Sequence, residues 1–211
     1  MLHRFSSIRG VLLGGVIIVG GAFPLLAAAP GGDISAPTSQ PSLDVVVRLK
    51  PPAVGEKAPD LSLDTLDGKT VQLAELLKKG PVVVIELRGW VGYQCPICNR
   101  QVNNFISHSK EILAKASQVI FVYPGPSDGL KAHAEEFISG KGMPDGYSFV
   151  TDPDMKFVES WGLRWLKTGE TAHPSTFVID KEGIVRFAKI SNTHGGRAAS
   201  EDIIKSLDEL K

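Results

Sequence analysis

Two β-branched runs bracketing one amphipathic stretch constrain this chain more than any other feature. PVVVIEL, residues 81–87, is apolar but for Glu86, the pattern of a central strand buried on both faces. QVIFVY, residues 118–123, repeats it. Between them Val102, Phe105, Ile106, Ser109, Ile112, Leu113 and Ala116 share one helical face, with Asn103, Asn104, Lys110, Glu111 and Lys115 mostly opposite. Strand, helix and strand in that order make a βαβ unit, which needs a parallel pair and a right-handed crossover.

The neighbouring segments extend this unit into a mixed sheet. DLSLDTLDGKTVQL alternates around Asp67-Gly68 and reads as a β-hairpin, and AELLKK as a short helical turn. GLKAHAEEFI is helical, SFVT a short strand, and DPDMKFVESWGL a turn running into a helix. STFVID and IVRFAKI are strands joined by Lys181-Glu182-Gly183. Ser200, before Glu201 and Asp202, is placed as the N-cap of a last helix carrying Ile203, Ile204, Leu207 and Leu210. The expected fold class is α/β: a central mixed sheet flanked by helices, with an N-terminal hairpin added.

A chain of 211 residues has room for one such domain and an extension. Lys and Arg number 23 and Asp and Glu 23, so the net charge is zero and no basic stripe exists to track phosphates; nucleic acid is not an expected partner. His3, Arg4 and Arg9 precede an uncharged, largely apolar stretch from Gly10 to Ala29, the order expected of an export signal or membrane anchor. Pro30 directly after Ala29 disfavours cleavage there, so retention as an anchor stays open. We therefore expect a signal or anchor at 1–29, a Pro-, Gly- and Ser-rich tether at 30–52 and the folded domain at 53–211, outside the cytoplasm.

The only cysteines are Cys95 and Cys98, in GWVGYQCPICNRQV at the start of the helix of the βαβ unit. At i and i+3 they can join and part with little backbone movement. Unpaired N–H groups and the positive end of the helix dipole favour a thiolate on Cys95, making it the nucleophile and Cys98 the resolving thiol. Pro96 suits the first helical position, where its missing N–H is harmless. A structural disulfide would gain little from so short a loop, and a metal site would need ligands beyond the pair, from His108, His133, His173 or His194. The position after a buried strand favours a redox dithiol over both.

The strand, GW, CPIC at a helix start and later HPSTFVIDKEGIVRF resemble the thioredoxin superfamily, and more narrowly its redoxin or AhpC/TSA branch, which holds the peroxiredoxins. The likeness runs over about residues 53–210, from VGEKAPDLSLDTLDGKTVQL onward, and VTDPDMKFVESWGL is similar to that branch's later strand, turn and helix. It implies a thioredoxin-like fold and a thiol–disulfide oxidoreductase with no cofactor and no metal. The implied partners are proteins with thiols or disulfides, or small thiols, together with a separate reductant or oxidant. Peroxide is the alternative substrate.

The resemblance also places Pro174 as the cis proline that faces the dithiol, with Trp90 and His173 beside the same groove. Glu86 becomes the buried acid that shuttles a proton to the inner thiol, unless it points to solvent at the strand end. Trp161 and Trp165 are expected in the core. Three departures matter. Val91, Gly92, Tyr93 and Gln94 separate Trp90 from Cys95. Gly92 stands where peroxiredoxins carry a threonine hydroxyl, and Pro174 where they carry an arginine, for which Arg88 or Arg100 are the candidate substitutes. A Sco-like copper chaperone using both thiolates and His173 resembles the chain less well, since that family places three residues between its cysteines. A groove that only holds an extended peptide is the remaining non-catalytic reading.

Overall fold

The structure, a computed structural model, describes residues 50–210. The segment read as signal or anchor and residues 30–49 of the tether lie outside the described residues. Among the described residues no helix is long and apolar enough to cross a membrane.

Among the described residues seven strands form one mixed sheet in the order β2-β1-β5-β4-β3-β6-β7. They are β1 Ser62–Thr65, β2 Thr70–Gln72, β3 Val82–Glu86, β4 Gln118–Gly125, β5 Tyr147–Pro153, β6 Ser175–Ile179 and β7 Val185–Ile190. The helices are α1 Leu73–Leu77, α2 Pro96–Ser107, α3 Ser109–Leu113, α4 Leu130–Ile138, α5 Lys156–Ser160 and α6 Ser200–Asp208. β3 and β4 pair in parallel from Val82–Gln118 to Glu86–Val122, as the βαβ reading requires. The β1–β2 hairpin is antiparallel, and β1 also pairs with β5, so the hairpin completes one edge of the sheet.

All five β3 residues are buried, because the sheet is covered on both sides. Alternation sends Val83, Ile85 and Leu87 into one core with Cys95, Cys98, Val102, Phe105 and Phe121. Val82 and Val84 face the other, with Phe157, Trp161, Leu163 and Phe177. Each fully buried large apolar side chain contributes roughly 1.5–3 kcal/mol by leaving water. Trp161 is fully buried and its Nε1–H donates to the Asp60 carbonyl at 3.1 Å, so its one polar atom is satisfied.

Two expected boundaries move. The stretch expected as one helix after CPIC divides at His108, where φ −104° and ψ 17° leave the helical region. There the Ser107 hydroxyl donates to the Asn104 carbonyl at 2.8 Å and His108 Nδ1 lies 2.9 Å from the same oxygen, so side chains compete for the acceptor a continuous helix would use. Ser200 is the first residue of α6 and not its cap, which is Ala199. The Asp202 carboxylate accepts from the Ala199 N–H at 3.2 Å, and Asn104 Oδ1 takes the Ser200 N–H at 3.0 Å, satisfying the helix start from another element.

Candidate active site

Cys95 caps α2 from an extended backbone, and its sulfur accepts the Cys98 N–H at 3.4 Å. Pro96 occupies the first helical position, as expected. Both thiols are free; Cys95 is 4% exposed and Cys98 is fully enclosed. Their acidities diverge. The Cys98 thiol donates toward Cys95 and, against the cost of burial, joins the Cys98 and Ile97 backbone N–H groups and the Arg197 charge in lowering Cys95 from 9.0 to about 5. Burial, and then that same contact with a charged Cys95, push Cys98 well up, with Arg197 opposing. At neutral pH the pair therefore holds one thiolate, on the outer sulfur, and one thiol.

The cation in this account escaped the sequence reading. Arg197 Nη1 lies 3.2 Å from Cys98 Sγ and Nη2 3.7 Å from Cys95 Sγ, so one guanidinium spans both sulfurs. Nη1 also donates to Gln101 Oε1 at 3.0 Å, and Nε to the His194 carbonyl at 3.0 Å. Arg197 follows Gly195-Gly196 in the loop from β7 to α6, and Gly196 has φ 68°, a left-handed conformation that glycine adopts without strain. The two arginines weighed as substitutes serve otherwise. Arg100 is exposed on α2, and Arg88 is buried against Glu170, with Nη1 on the Tyr93 hydroxyl at 2.7 Å and Nη2 on the Gly169 carbonyl at 3.1 Å.

The loop that delivers Cys95 is held from both flanks. Trp90 stacks on His133 of α4 with ring centroids 3.5 Å apart, and its backbone N–H donates to the Pro124 carbonyl at 2.9 Å. Gln94 takes the Tyr123 hydroxyl at 2.8 Å and donates to the His133 carbonyl at 2.8 Å. Gly89, at φ 71°, passes so close to Pro124 that a Cβ would overlap its carbonyl oxygen. Trp90 thus packs beside the core that holds the dithiol despite the four residues between it and Cys95.

Pro174 and His173 lie at the start of β6. The peptide before Pro174 is trans, since no cis bond occurs among the described residues; this corrects the cis expectation. The chain enters β6 as an ordinary strand, the Pro174 carbonyl taking the Ser191 N–H at 2.9 Å, and a trans bond is the lower-energy form where nothing holds the other. His173 Nδ1 faces the Ser191 carbonyl at 3.1 Å and its ring stacks on Trp165 at 4.9 Å. Trp165 is half-buried beside these histidines and outside the core expected for it.

Glu86 is fully buried, so it does not point to solvent, yet it does not join the dithiol. It continues the alternation of Val82 and Val84, on the sheet face opposite α2. Its two oxygens have no hydrogen-bond partner among the described residues. Burial first, and the neighbouring Asp152 charge second, push its pKa well above 4.5. The raised pKa expected of a proton carrier is present, but on the wrong side of the sheet for Cys98. Among the described residues no group of three or more His, Cys, Asp or Glu side chains is placed to hold a metal.

Comparison with known proteins agrees with this geometry. The chain is similar to the methylamine utilization protein MauD of Methylobacillus flagellatus, 25% identical over 87% of this chain and 82% of that protein. It is also similar to the thiol-disulfide oxidoreductase ResA of Geobacillus thermodenitrificans, 28% identical over 75% of this chain and 79% of the relative. The crystal structure of peroxidoxin BcpB from Mycobacterium tuberculosis superposes with a TM-score of 0.58 at 20% identity, covering 76% of this chain and 99% of that one, which shows a shared thioredoxin-like fold. The Redoxin family model matches residues 53–204, most of the chain, and the protein belongs to the Redoxin family.

Proposed function

We propose that this Redoxin-family oxidoreductase exchanges disulfides with proteins or small thiols through Cys95 and Cys98, outside the cytoplasm. The observation that carries the reading is the single guanidinium lying against both sulfurs of one helical turn. The Cys95 thiolate attacks a substrate disulfide; one substrate sulfur leaves as thiolate and takes a proton, and Cys95 is held in a mixed disulfide. Cys95 then bears no charge: burial still opposes ionisation of Cys98, but the contact with a charged Cys95 that also held its pKa up is gone, and Arg197 remains beside it. Cys98 attacks Cys95 Sγ as its proton passes to water, the bond between Cys95 and the substrate sulfur breaks, the second substrate thiolate leaves, and two electrons have passed to the substrate. A separate dithiol reductant restores the pair, and run in reverse the same steps oxidise a partner. Arg197 thus serves each sulfur in turn, and no carboxylate is required at Cys98.

Equilibration of the full chain with glutathione buffers of known potential tests this. A reversible two-electron Cys95–Cys98 couple is expected, and the Cys98→Ser variant should retain partners as mixed disulfides. Absence of a reversible disulfide would end the assignment. The extracytoplasmic placement is supported by the charged start and the uncharged stretch from Gly10 to Ala29. Recovery of the protein from the cytosolic fraction alone would refute it.

Arg197 also favours a second reading, peroxide reduction, because it places a guanidinium at Cys95 where Pro174 offers none. Gly92 still provides no hydroxyl, and one such donor is worth roughly a hundredfold. Peroxide would oxidise Cys95 to a sulfenic acid that Cys98 resolves to a disulfide with release of water. Stopped-flow oxidation by hydrogen peroxide separates the readings. A slow, free-thiol-like rate alongside competent disulfide exchange supports the first, and a rate near that of dedicated peroxidases supports the second.

A further inference from the structure

Arg197 sits on the dithiol from a loop with two consecutive glycines, Gly195 and Gly196, so something must hold that loop against its own freedom. His194 is tied on both sides. Its carbonyl accepts Arg197 Nε at 3.0 Å, and its Nε2 lies 2.8 Å from Glu170 Oε1. Glu170 is itself fixed: its side chain is 6% exposed, its other oxygen pairs with the buried Arg88, and it closes a short hairpin through its N–H to the Lys167 carbonyl at 3.0 Å. Burial opposes its charge, but hydrogen bonds from Arg88 and His194 overcome this and hold Glu170 below the usual carboxylate range. Since a carboxylate only accepts, His194 Nε2 carries the hydrogen of the contact. Trp165, its ring centroid 5.4 Å from that of His194 and inclined to it by 67°, closes the third side.

We propose that His194 and Glu170 are positioning residues for the dithiol: their contact anchors the β7–α6 loop so that Arg197 lies across both sulfurs. The proposal rests on the reading of Cys95 and Cys98 as the exchange centre. Removing the His194 ring frees one end of the loop while leaving the Arg88–Glu170 pair intact, and Arg197 then spends less time on the sulfurs. The effect should therefore appear at Cys95, although neither His194 nor Glu170 touches it.

The test follows the thiolate of the reduced full chain by its ultraviolet absorbance against pH, and its rate of alkylation by iodoacetamide at pH 4, below the Cys95 midpoint. Arg197→Met should raise the midpoint. His194→Ala should raise it in the same direction and slow alkylation about three- to tenfold, the change that half a unit to one unit makes in thiolate fraction. His194→Asn, too short to reach Glu170, should match the alanine variant. His194→Gln, whose amide can still donate to Glu170, should return close to the parent. In the Arg197→Met background His194→Ala should add nothing, because it acts through Arg197. An unmoved midpoint in His194→Ala, with or without a fall in thermal stability, overturns the proposal; so does an effect that persists without Arg197. The midpoint is read on reduced protein and the glutathione titration on the wild type, so failure of the exchange reading and failure of the positioning role give different results.

Discussion

Replacing Glu86 with glutamine tests whether the sheet separates this acid from the dithiol. The substitution keeps size and shape but removes titration. In the wild type the folded-state pKa of Glu86 lies well above 4.5, chiefly because the charged form is desolvated and finds no hydrogen bond. The stability linked to this group is therefore fully present below 4.5 and is lost as pH rises toward the folded value. The slope is that of one proton, about 1.4 kcal/mol per pH unit, or about 3–6 °C of Tm for a chain of this size. Asp152, raised to about 6 by burial, adds a slope of the same sign between 3.8 and 6 despite accepting the Phe157 and Val158 N–H groups. Above pH 6 the difference between wild type and variant belongs to Glu86.

Urea unfolding at half-unit steps from pH 4.5 to 8 reads that difference directly, and histidine titrations common to both proteins cancel from it. Glu86→Gln should match the wild type at the acid end and become progressively more stable above it. A difference that stays flat across the range would refute the assignment of a neutral, unpartnered carboxyl. Dithiol exchange and Cys95 alkylation should be unchanged. A tenfold loss of exchange would mean that the carboxyl reaches the Cys98 proton and that the two faces have been assigned wrongly.

Alkylation of the reduced wild type should rise through a midpoint of about 5 at Cys95 and leave Cys98 unlabelled; equal labelling of both sulfurs by peptide mapping would contradict the divided acidities. Gly89→Ala, which combines φ 71° with a clash at the Pro124 carbonyl, should cost at least about 2 kcal/mol in urea unfolding, and a change within about 0.5 kcal/mol would count against the close approach. Gly92→Thr should not raise the peroxide rate even though no heavy atom lies within 4 Å of a Cβ there, because φ 102° strains a β-branched residue; a tenfold gain in stopped-flow oxidation would show that the loop re-forms around the hydroxyl.

The parts of the molecule that read correctly from residues are those set by local pattern. The β1–β2 turn at Asp67-Gly68, the buried β3 and β4, and Cys95 at a helix start each follow from a few neighbouring side chains. What escaped depends on distance or on hidden parity. Arg197 is 99 positions from Cys98 and arrives through a loop with no periodicity, Gly195-Gly196 being the only local sign of a turn that could send it inward. Glu86 was misplaced because a strand buried on both faces loses the polar alternation that would say which side each residue takes. Only the packing of Val83 and Ile85 with the cysteines, and of Val82 and Val84 with Trp161, resolves it. Trp165 and Trp161 are alike in sequence terms, and the tertiary fold alone puts one among histidines and the other in the core.

The clamped approach to Cys95 bears on which chemistry the site performs. A resolving cysteine on another element or subunit would need the segment bearing the attacking sulfur to move toward it, whereas here both sulfurs already share one helical turn. The Trp90–His133 stack, the Gln94 bonds and the Arg88–Tyr93 contact can therefore hold the 88–95 loop in place without obstructing closure of the disulfide. Such a loop gives little room for rearrangement and exposes 4% of Cys95, so access is decided by the shape of the incoming disulfide. A small peroxide needs no such fit, but it needs donors for both oxygens, and the site offers it the Arg197 guanidinium and no hydroxyl at residue 92. Rigidity and the missing hydroxyl thus favour the same outcome: exchange with a disulfide that is presented in the right orientation, over rapid reduction of a freely diffusing oxidant.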